Sequence, residues 1–256
     1  MIFARFRHRD RVSWGIVQDS EVQPIEGDIY GDYKKLSEKI PLADVQLLAP
    51  AQPRKIVAAA VNYQSHVVQS RRVLKQDEAP KTPELFLKPS TAIIGPGDPI
   101  ILPKDAGQVD YEGEVVAVIG RVCRNVSPEQ ALDYIFAYTC GNDVSAREWQ
   151  RKDIQWWRAK GSDTFAPVGP WLVTGLDPTN LDLRTLLNGE EVQTTNTKML
   201  VHSIAKLVSF TSSVMTLEPG DLIYTGTPGQ TRAISAGDTV AVEVKGIGVL
   251  SNPVKA

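Results

Sequence analysis

The sequence has 256 residues, of which 42% are hydrophobic and 23% charged, a composition that excludes a disordered or low-complexity chain. Its 28 basic and 30 acidic residues give a net charge of -2, which excludes a global attraction to nucleic acid or to an anionic membrane. The apolar runs are too short to span a bilayer, the charged N-terminus does not resemble a secretory signal, and 2 cysteines make neither a disulfide framework nor a zinc site, so we expect a cytoplasmic protein.

Residues 1–48 are predicted to form a small β-rich N-terminal domain. Apolar and polar residues alternate with period 2 over residues 12–18, which places Trp14 and Ile16 on one face of a strand. Residues 22–25 have the composition of a strand that pairs with it. The domain is therefore expected to consist of short strands.

A linker with two prolines follows at residues 49–53, because proline removes backbone donors and keeps the chain extended. It opens the predicted catalytic domain, residues 49–256. The apolar run at residues 55–61 predicts a buried strand. Residues 64–84 are polar and end in prolines, which indicates a lid segment of helix and loop, although a plain solvated loop has the same composition.

From residue 85 onward, short strands alternate with turns rich in glycine and proline, so the fold is expected to be mainly β with a few helices. A capping box with proline at the first helical position predicts a helix over residues 127–136. Helical spacing of apolar residues predicts a second helix over residues 202–215. Residues 239–244 and 247–250 are predicted to form a hairpin.

Two glutamates in one strand carry the clearest chemical signal. Glu112 and Glu114 lie two residues apart, so their side chains share a strand face with Val116 and Val118. Two carboxylates on an apolar face repel each other and lose hydration unless a cation compensates. Gly113 between them leaves room for close approach from the other side. The alternative interpretation is a pair of solvated acids on an edge strand.

Asp143 is a third acid, at the end of a short strand that precedes a helix-like stretch. Three carboxylates without a nearby cysteine or histidine make a hard oxygen site, which favours Mg²⁺, Mn²⁺ or Ca²⁺ over Zn²⁺. On an octahedral ion, three protein ligands leave about three positions for water or for a chelating substrate.

Six motifs, in this order along residues 55–252, resemble the fumarylacetoacetate hydrolase family. They are Asn62-Tyr63 with His66, Phe86 to Pro89, Glu112 to Glu114, Gly141 to Arg147, Lys160 to Pro170, and Thr225 to Pro228. The resemblance implies a mixed β-roll with a small N-terminal β-rich domain, usually as a homodimer. It also implies that Glu112, Glu114 and Asp143 hold Mg²⁺ or Mn²⁺, with Ca²⁺ as a substitute in crystals, and that the partner is a small keto acid.

Members of this family cleave or rearrange 2,4-dioxo acids and related keto acids. Our leading prediction is metal-dependent hydrolysis of a C–C bond in an acylpyruvate, in which the metal stabilises an enolate and a base activates water. The alternative is an isomerase or decarboxylase of unsaturated keto diacids or oxaloacetate, which needs the enolate but no water nucleophile. A non-catalytic module that binds a metal and a keto acid is the second alternative.

His66 is the candidate base, because the sequence has only 3 histidines and the other two lie in segments without a chemical signal. The resemblance implies that Lys160 binds a substrate carboxylate or a developing oxyanion. It places Arg147 and Gln150 at positions that face the same pocket. Lys88 is either part of the pocket wall or a packing residue.

Three further positions are candidates for substrate binding: Gln69, Thr227 and Arg232. Members that cleave acylpyruvates usually have a glutamate three residues after the lid histidine, where this chain has Gln69. A neutral amide cannot relay a proton, so water activation by His66 should be weaker. Arg232 lies where the family has a glycine-rich turn, and we expect it to bind a second anionic group of the substrate.

Overall fold

A computed structural model describes residues 1–65 and 79–256. Twenty strands are defined in these residues: β1 Ile2–His8, β2 Arg11–Gln18, β3 Glu21–Gly27, β4 Tyr33–Lys35, β5 Ile40–Pro41, β6 Gln46–Leu48, β7 Ile56–Ala60, β8 Glu84–Lys88, β9 Ile93–Ile94, β10 Ile100–Ile101, β11 Val109–Asp110, β12 Gly113–Ile119, β13 Ile135–Asn142, β14 Ser145–Ala146, β15 Ala166–Val173, β16 Asp182–Leu187, β17 Glu190–Asn196, β18 Leu222–Tyr224, β19 Thr239–Val244 and β20 Gly248–Lys255. The fold is mainly β, as the sequence predicts.

The α-helices whose bounds the structure describes are few and mostly short. They are α1 Pro128–Ala131, α2 Arg147–Lys152, α3 Trp157–Gly161 and α4 Ile204–Val214, and single 3-10 turns occur at Leu42–Asp44, Ser90–Ala92, Leu132–Tyr134 and Thr197–Met199. None of the helices in the described part of the chain is long and apolar enough to cross a membrane.

Thirteen strands form one large sheet that contains the predicted site strands. Its main order is β4-β3-β2-β1-β15-β13-β12-β18-β7-β8. The predicted pairing of the strands at residues 12–18 and 22–25 is confirmed, with Trp14 opposite Ile25. Strand β1 pairs with β15 through Phe3 and Leu172, so the N-terminal strands continue the sheet of the second predicted domain.

A five-stranded sheet, in the order β10-β20-β19-β16-β17, packs against the large one. The predicted hairpin is confirmed as β19 and β20. At Gly113 the two sheets approach so closely that a Cβ would lie 2.0 Å from Thr185 Oγ1. Glycine at this position therefore allows the close approach that the sequence predicted beside the two glutamates.

Strand β12 is buried along its whole length and separates two apolar clusters. Val115 and Ala117 pack into the cluster that includes the five-stranded sheet and α4. Val116 and Val118 pack into the cluster on the other face. Because both faces are covered, any charge on this strand near its N-terminal end is withdrawn from water.

The two helix predictions have different outcomes. Helix α4 occupies residues 204–214 with Ser203 as its N-cap, which confirms the prediction for residues 202–215. The prediction for residues 127–136 is wrong at its end, because α1 stops at Ala131, a 3-10 turn follows, and Ile135 already begins β13. Pairing of Ile135 with Ile119 of β12 overrides the helical spacing of the apolar residues.

Candidate functional site

Glu112 and Glu114 lie at the N-terminal end of β12, where the sheet buries both side chains. Glu114 Oε2 accepts a hydrogen bond of 2.7 Å from the backbone nitrogen of Gly226. A side chain at Gly226 would lie 2.8 Å from Asn62 Cβ, and its φ of +100° also favours glycine. The glycine thus lets a backbone donor reach Glu114. The alternative of two solvated acids on an edge strand is excluded by their burial.

Asp143 reaches the two glutamates because β13 pairs antiparallel with β12. Gly113 lies opposite Asn142, so the residue that follows β13 comes next to Glu112. The backbone nitrogen of Asp143 donates to the Glu112 carbonyl at 2.8 Å. The Asn142 side-chain oxygen accepts from the Glu112 nitrogen at 2.8 Å. Backbone pairing therefore fixes the distance between two acids that are far apart in the sequence.

Glu112, Glu114 and Asp143 each offer a carboxylate oxygen, and these three atoms lie within 4.8 Å of one another. Glu114 Oε1 is buried without a hydrogen-bond partner, in contrast to most buried polar atoms of the described residues. Burial, followed by repulsion from Asp143 and Glu112, raises the pKa of Glu114 well above its ordinary value. A hard oxygen donor set that includes an unsatisfied carboxyl oxygen fits a divalent cation such as Mg²⁺ or Mn²⁺, which would favour the ionised form of Glu114.

Two lysines contact the same acids. Lys160 Nζ lies 2.6 Å from Asp143 Oδ2 and 2.7 Å from Glu112 Oε2. Lys88 Nζ forms an ion pair with Asp143 Oδ1. Both lysines are buried, so Lys88 belongs to the site rather than to the packing of the fold alone. Two fixed positive charges thus reduce the repulsion among the acids.

The two lysines have opposite pKa shifts. Burial is the largest effect on each and lowers the pKa. For Lys88 it is only partly offset by Asp143, and Lys160 lowers the pKa further, so the net shift is downward. For Lys160 the attraction of Asp143 and Glu112 exceeds the effect of burial, and the net shift is upward. Lys160 therefore keeps its positive charge to a higher pH than Lys88 does.

Arg147 connects α2 to the acids. Its Nε donates to Asp110 Oδ2 at 2.8 Å, and its Nη2 donates to Glu112 Oε1 at 2.6 Å. Its Nη1 donates to Gln150 Oε1 at 2.9 Å. The two residues that the resemblance places at one pocket are therefore in contact. Burial lowers the pKa of Arg147, but Glu112 and Asp110 raise it by more. The guanidinium is charged at every accessible pH.

Thr227 lies beside the site, and its hydroxyl forms hydrogen bonds with other residues of the protein. It donates to the Gly113 carbonyl at 3.0 Å and accepts from Gln193 Nε2 at 3.0 Å. Gln193, a buried residue of β17, also donates to the Pro228 carbonyl at 2.6 Å. These contacts attach the segment after β18 to the start of β12. A role of Thr227 in substrate binding stays a prediction.

His66 and Gln69 lie outside the described residues, as does most of the predicted lid segment. Asn62 and Tyr63, which belong to the same motif as His66, are described by the structure. Asn62 Nδ2 donates to the Thr225 carbonyl at 2.8 Å, which attaches the motif to the strand end next to Gly226. Tyr63 is buried, and its hydroxyl has no hydrogen-bond partner among the described residues. Burial, followed by the charge of Glu114, raises the pKa of Tyr63.

Arg232 is exposed and forms an ion pair with Glu190 Oε2 at 3.0 Å. Its neighbour Thr231 instead contacts Asp110 and Arg147. The substrate-binding role of Arg232 stays a prediction, and in this structure its charge is already paired. Elsewhere in the site, the ring centre of Phe86 lies 5.0 Å from Lys160 Nζ.

Comparisons with known proteins identify the family of this chain. Residues 55–255 match the family model described as fumarylacetoacetate (FAA) hydrolase C-terminal, and residues 1–50 match one described as Rv2993c-like, N-terminal. The chain belongs to the fumarylacetoacetate hydrolase family. Within this family, the chain is 47% identical to a solved structure named 5-carboxymethyl-2-hydroxymuconate delta-isomerase from Mycobacterium smegmatis, with a TM-score of 0.92, over 100% of this chain and 99% of that one.

Two further relatives are informative about chemistry. The mitochondrial oxaloacetate tautomerase fahd2 of Xenopus laevis is 40% identical over 83% of this chain and 69% of its own length. A maleylpyruvate hydrolase from Sphingobium sp. SYK-6, solved in complex with manganese (II) ion and pyruvate, is 31% identical with a TM-score of 0.81 over 100% of this chain and 99% of that one. The fumarylacetoacetate hydrolase family thus includes isomerases, tautomerases and hydrolases.

Sequence analysis missed several residues of the site. Asp110 continues the alternation of Glu112 and Glu114 by one step, so a period-2 pattern of three acids was available as a signal. Thr231 and Gln193 have no such signal, because their places depend on which strands pair, and Tyr63 belongs to a quoted motif but was given no role of its own. Glu112, Glu114 and Asp143 make a buried, oxygen-rich cluster that could hold a divalent cation, and three basic side chains, Lys88, Arg147 and Lys160, contact it.

Proposed function

We propose that this protein catalyses the divalent-metal-dependent interconversion of the enol and keto forms of a 2-oxo acid that carries a second carboxylate. The observation that carries the proposal is the cluster of Glu112, Glu114 and Asp143, in which the buried Glu114 Oε1 has no hydrogen-bond partner among the described residues. Such a donor set suits Mg²⁺ or Mn²⁺. A bound dication would act as a Lewis acid that favours negative charge on a keto oxygen.

Three basic side chains add to this chemistry. Lys160 is buried and charged, and it can stabilise an oxygen anion that develops beside Asp143 and Glu112. Arg147 and Gln150 are in contact and suit a substrate carboxylate, because a guanidinium and an amide both present planar N–H donors. Lys88 forms an ion pair with Asp143, and we expect it to orient this carboxylate.

Isomerisation is favoured over hydrolysis by the residue at position 69. Hydrolysis needs an activated water, and Gln69 replaces the glutamate that the resemblance associates with the lid histidine. The relatives at 47% and 40% identity have the names of an isomerase and a tautomerase. C–C bond hydrolysis of an acylpyruvate is the second candidate, which His66 and the similarity to maleylpyruvate hydrolase support.

The test measures three reactions in parallel with Mg²⁺ and with Mn²⁺. These are ketonisation of enol-oxaloacetate, decarboxylation of oxaloacetate, and cleavage of acetylpyruvate. We expect the wild type to accelerate ketonisation and to leave acetylpyruvate intact, and Glu114→Gln to lose the acceleration. Cleavage of acetylpyruvate with ketonisation at the background rate would establish the hydrolase instead. Binding of pyruvate without turnover of any substrate would establish a non-catalytic binding module.

The assembly and location of the protein are part of the same proposal. We propose a homodimer in the cytoplasm that acts on small keto acids and not on nucleic acid. Light scattering of the purified protein tests the dimer, and a mass of one chain, 28.1 kDa, would contradict it.

A further inference from the structure

The segment that follows β18 crosses the site and turns one hydroxyl inward. Thr231 Oγ1 donates to Asp110 Oδ2 at 2.7 Å, and Arg147 Nη2 donates to the same hydroxyl at 2.7 Å. Ile234 then pairs with the Val109 carbonyl through its backbone nitrogen at 2.8 Å, so the backbone on one side of Thr231 is fixed to β11. Thr231 is thus attached to both members of the Asp110–Arg147 ion pair.

The N–H groups of Arg147 are almost fully used. A guanidinium has five of them. Within the described residues, Nε donates to Asp110, Nη2 donates to Glu112 and to Thr231, and Nη1 donates to Gln150. One N–H therefore remains, on Nη1, the nitrogen beside Gln150. The amide nitrogen of Gln150 makes no hydrogen bond to the described residues, so two donors adjoin one another.

We propose that Thr231 is a positioning residue that fixes the Arg147 guanidinium so that its remaining N–H, with the Gln150 amide, binds a carboxylate oxygen of the substrate. This inference rests on the proposed function, because it assigns the carboxylate of a 2-oxo acid to Arg147. Asp110 binds one edge of the guanidinium, and Thr231 links that carboxylate to Nη2. Without the hydroxyl, one N–H of Nη2 loses its partner, and the guanidinium is oriented only by Asp110, Glu112 and Gln150.

The orientation has a consequence for the neighbouring residue. Because Thr231 points toward Asp110, the side chain of Arg232 extends to Glu190 on the surface. The residue of this turn that the structure links to Arg147 is Thr231, and the substrate-binding role of Arg232 stays a separate prediction.

The test uses three variants and oxalate as the probe of carboxylate binding. Thr231→Val keeps the shape of the side chain and removes the hydroxyl, and Thr231→Ser keeps the hydroxyl. Thr239→Val makes the same change as Thr231→Val at an exposed threonine of β19 and is the control. Calorimetry with the Mn²⁺-loaded protein measures oxalate affinity, and electron paramagnetic resonance measures Mn²⁺ affinity. We expect Thr231→Val to bind oxalate about tenfold more weakly, the loss of roughly one hydrogen bond to a charged group. The other two variants should stay within about twofold of the wild type, and Mn²⁺ affinity should be unchanged in all three.

Kinetics give a second readout. Thr231→Val should raise KM for the 2-oxo acid with little change in kcat, because the interaction is made equally in the ground state and the transition state. The proposal is overturned if Thr231→Val binds oxalate like the wild type, if Thr231→Ser loses as much as Thr231→Val, if Mn²⁺ affinity falls in parallel, or if the wild type does not bind oxalate. If oxalate binding depends on Thr231 but no 2-oxo acid is turned over, the proposed function fails and the positioning role stands.

Discussion

Lys88 and Asp143 form an ion pair in which both side chains are inaccessible to solvent. The pair connects the end of β8 to the residue after β13, and it places a positive charge directly on a candidate metal ligand. A lysine in this position competes with a dication for the charge of the carboxylate, although it also stabilises the metal-free fold. Its removal should therefore have opposite effects on stability and on metal affinity.

The variant Lys88→Met tests this expectation. The metal-free protein should lose roughly 3 kcal/mol of stability, at the lower end for a broken buried pair because Lys160 still contacts Asp143. Mn²⁺ affinity should rise. The measurements are thermal unfolding without metal and Mn²⁺ titration. Lys55→Met is the control, because Lys55 pairs with Asp221 in a different part of the fold and should reduce stability alone. A fall in Mn²⁺ affinity in Lys88→Met would contradict the account.

Two buried tyrosines allow a matched test of how the Tyr63 hydroxyl affects the stability of the protein. Within residues 1–65 and 79–256, the Tyr63 hydroxyl has no hydrogen-bond partner, whereas Tyr224 donates to the Pro167 carbonyl at 2.9 Å. An unsatisfied buried hydroxyl costs about 1–3 kcal/mol, so Tyr63→Phe should leave the metal-free protein as stable as the wild type or more so. Tyr224→Phe should lose about 1 kcal/mol. Urea unfolding of both variants measures the difference. Equal losses would mean that Tyr63 has a partner in solution.

Alkaline pH should destabilise the protein partly through Cys140. Burial raises the pKa of this thiol to about 12, against 9.0 for an exposed cysteine. Below pH 9 the thiol is protonated in both states, and above it the unfolded state loses the proton first. Stability therefore falls as the pH rises from 9 toward 12, by up to about 1.4 kcal/mol per pH unit. Urea unfolding between pH 8 and roughly 10.5 should give a steeper decline for the wild type than for Cys140→Ala. An equal decline of stability with pH in the wild type and in Cys140→Ala would contradict the raised pKa of Cys140.

Local patterns in the sequence predicted the parts of the fold that local forces determine. The period-2 alternation placed Glu112 and Glu114 on one face of a strand, and the spacing of apolar residues predicted α4. The helix predicted over residues 127–136 is cut short because Ile135 gains more by pairing with β12 than by continuing a helix. Local propensity is a weak preference that such tertiary contacts override.

The site itself was only partly accessible from the sequence. Motif order named the three acids and Lys160, but contact between Asp143 and Glu112 requires the pairing of β12 with β13, a register that no local pattern specifies. The same holds for Thr231, which reaches Asp110 only because the backbone at Ala233 bridges to Asp110. Long-range pairing decides which polar side chains meet, and it cannot be read from composition or periodicity.

The central claim is that Glu112, Glu114 and Asp143 bind one divalent cation. Mn²⁺ binding to the metal-free protein, measured by electron paramagnetic resonance for the wild type and for Glu114→Gln, tests it most directly. The account predicts one Mn²⁺ per chain in the wild type. In the variant it predicts affinity lower by at least about tenfold, with no loss of metal-free stability because a buried repulsive charge is gone. Equal Mn²⁺ affinity in both proteins, or no binding by the wild type, would contradict it.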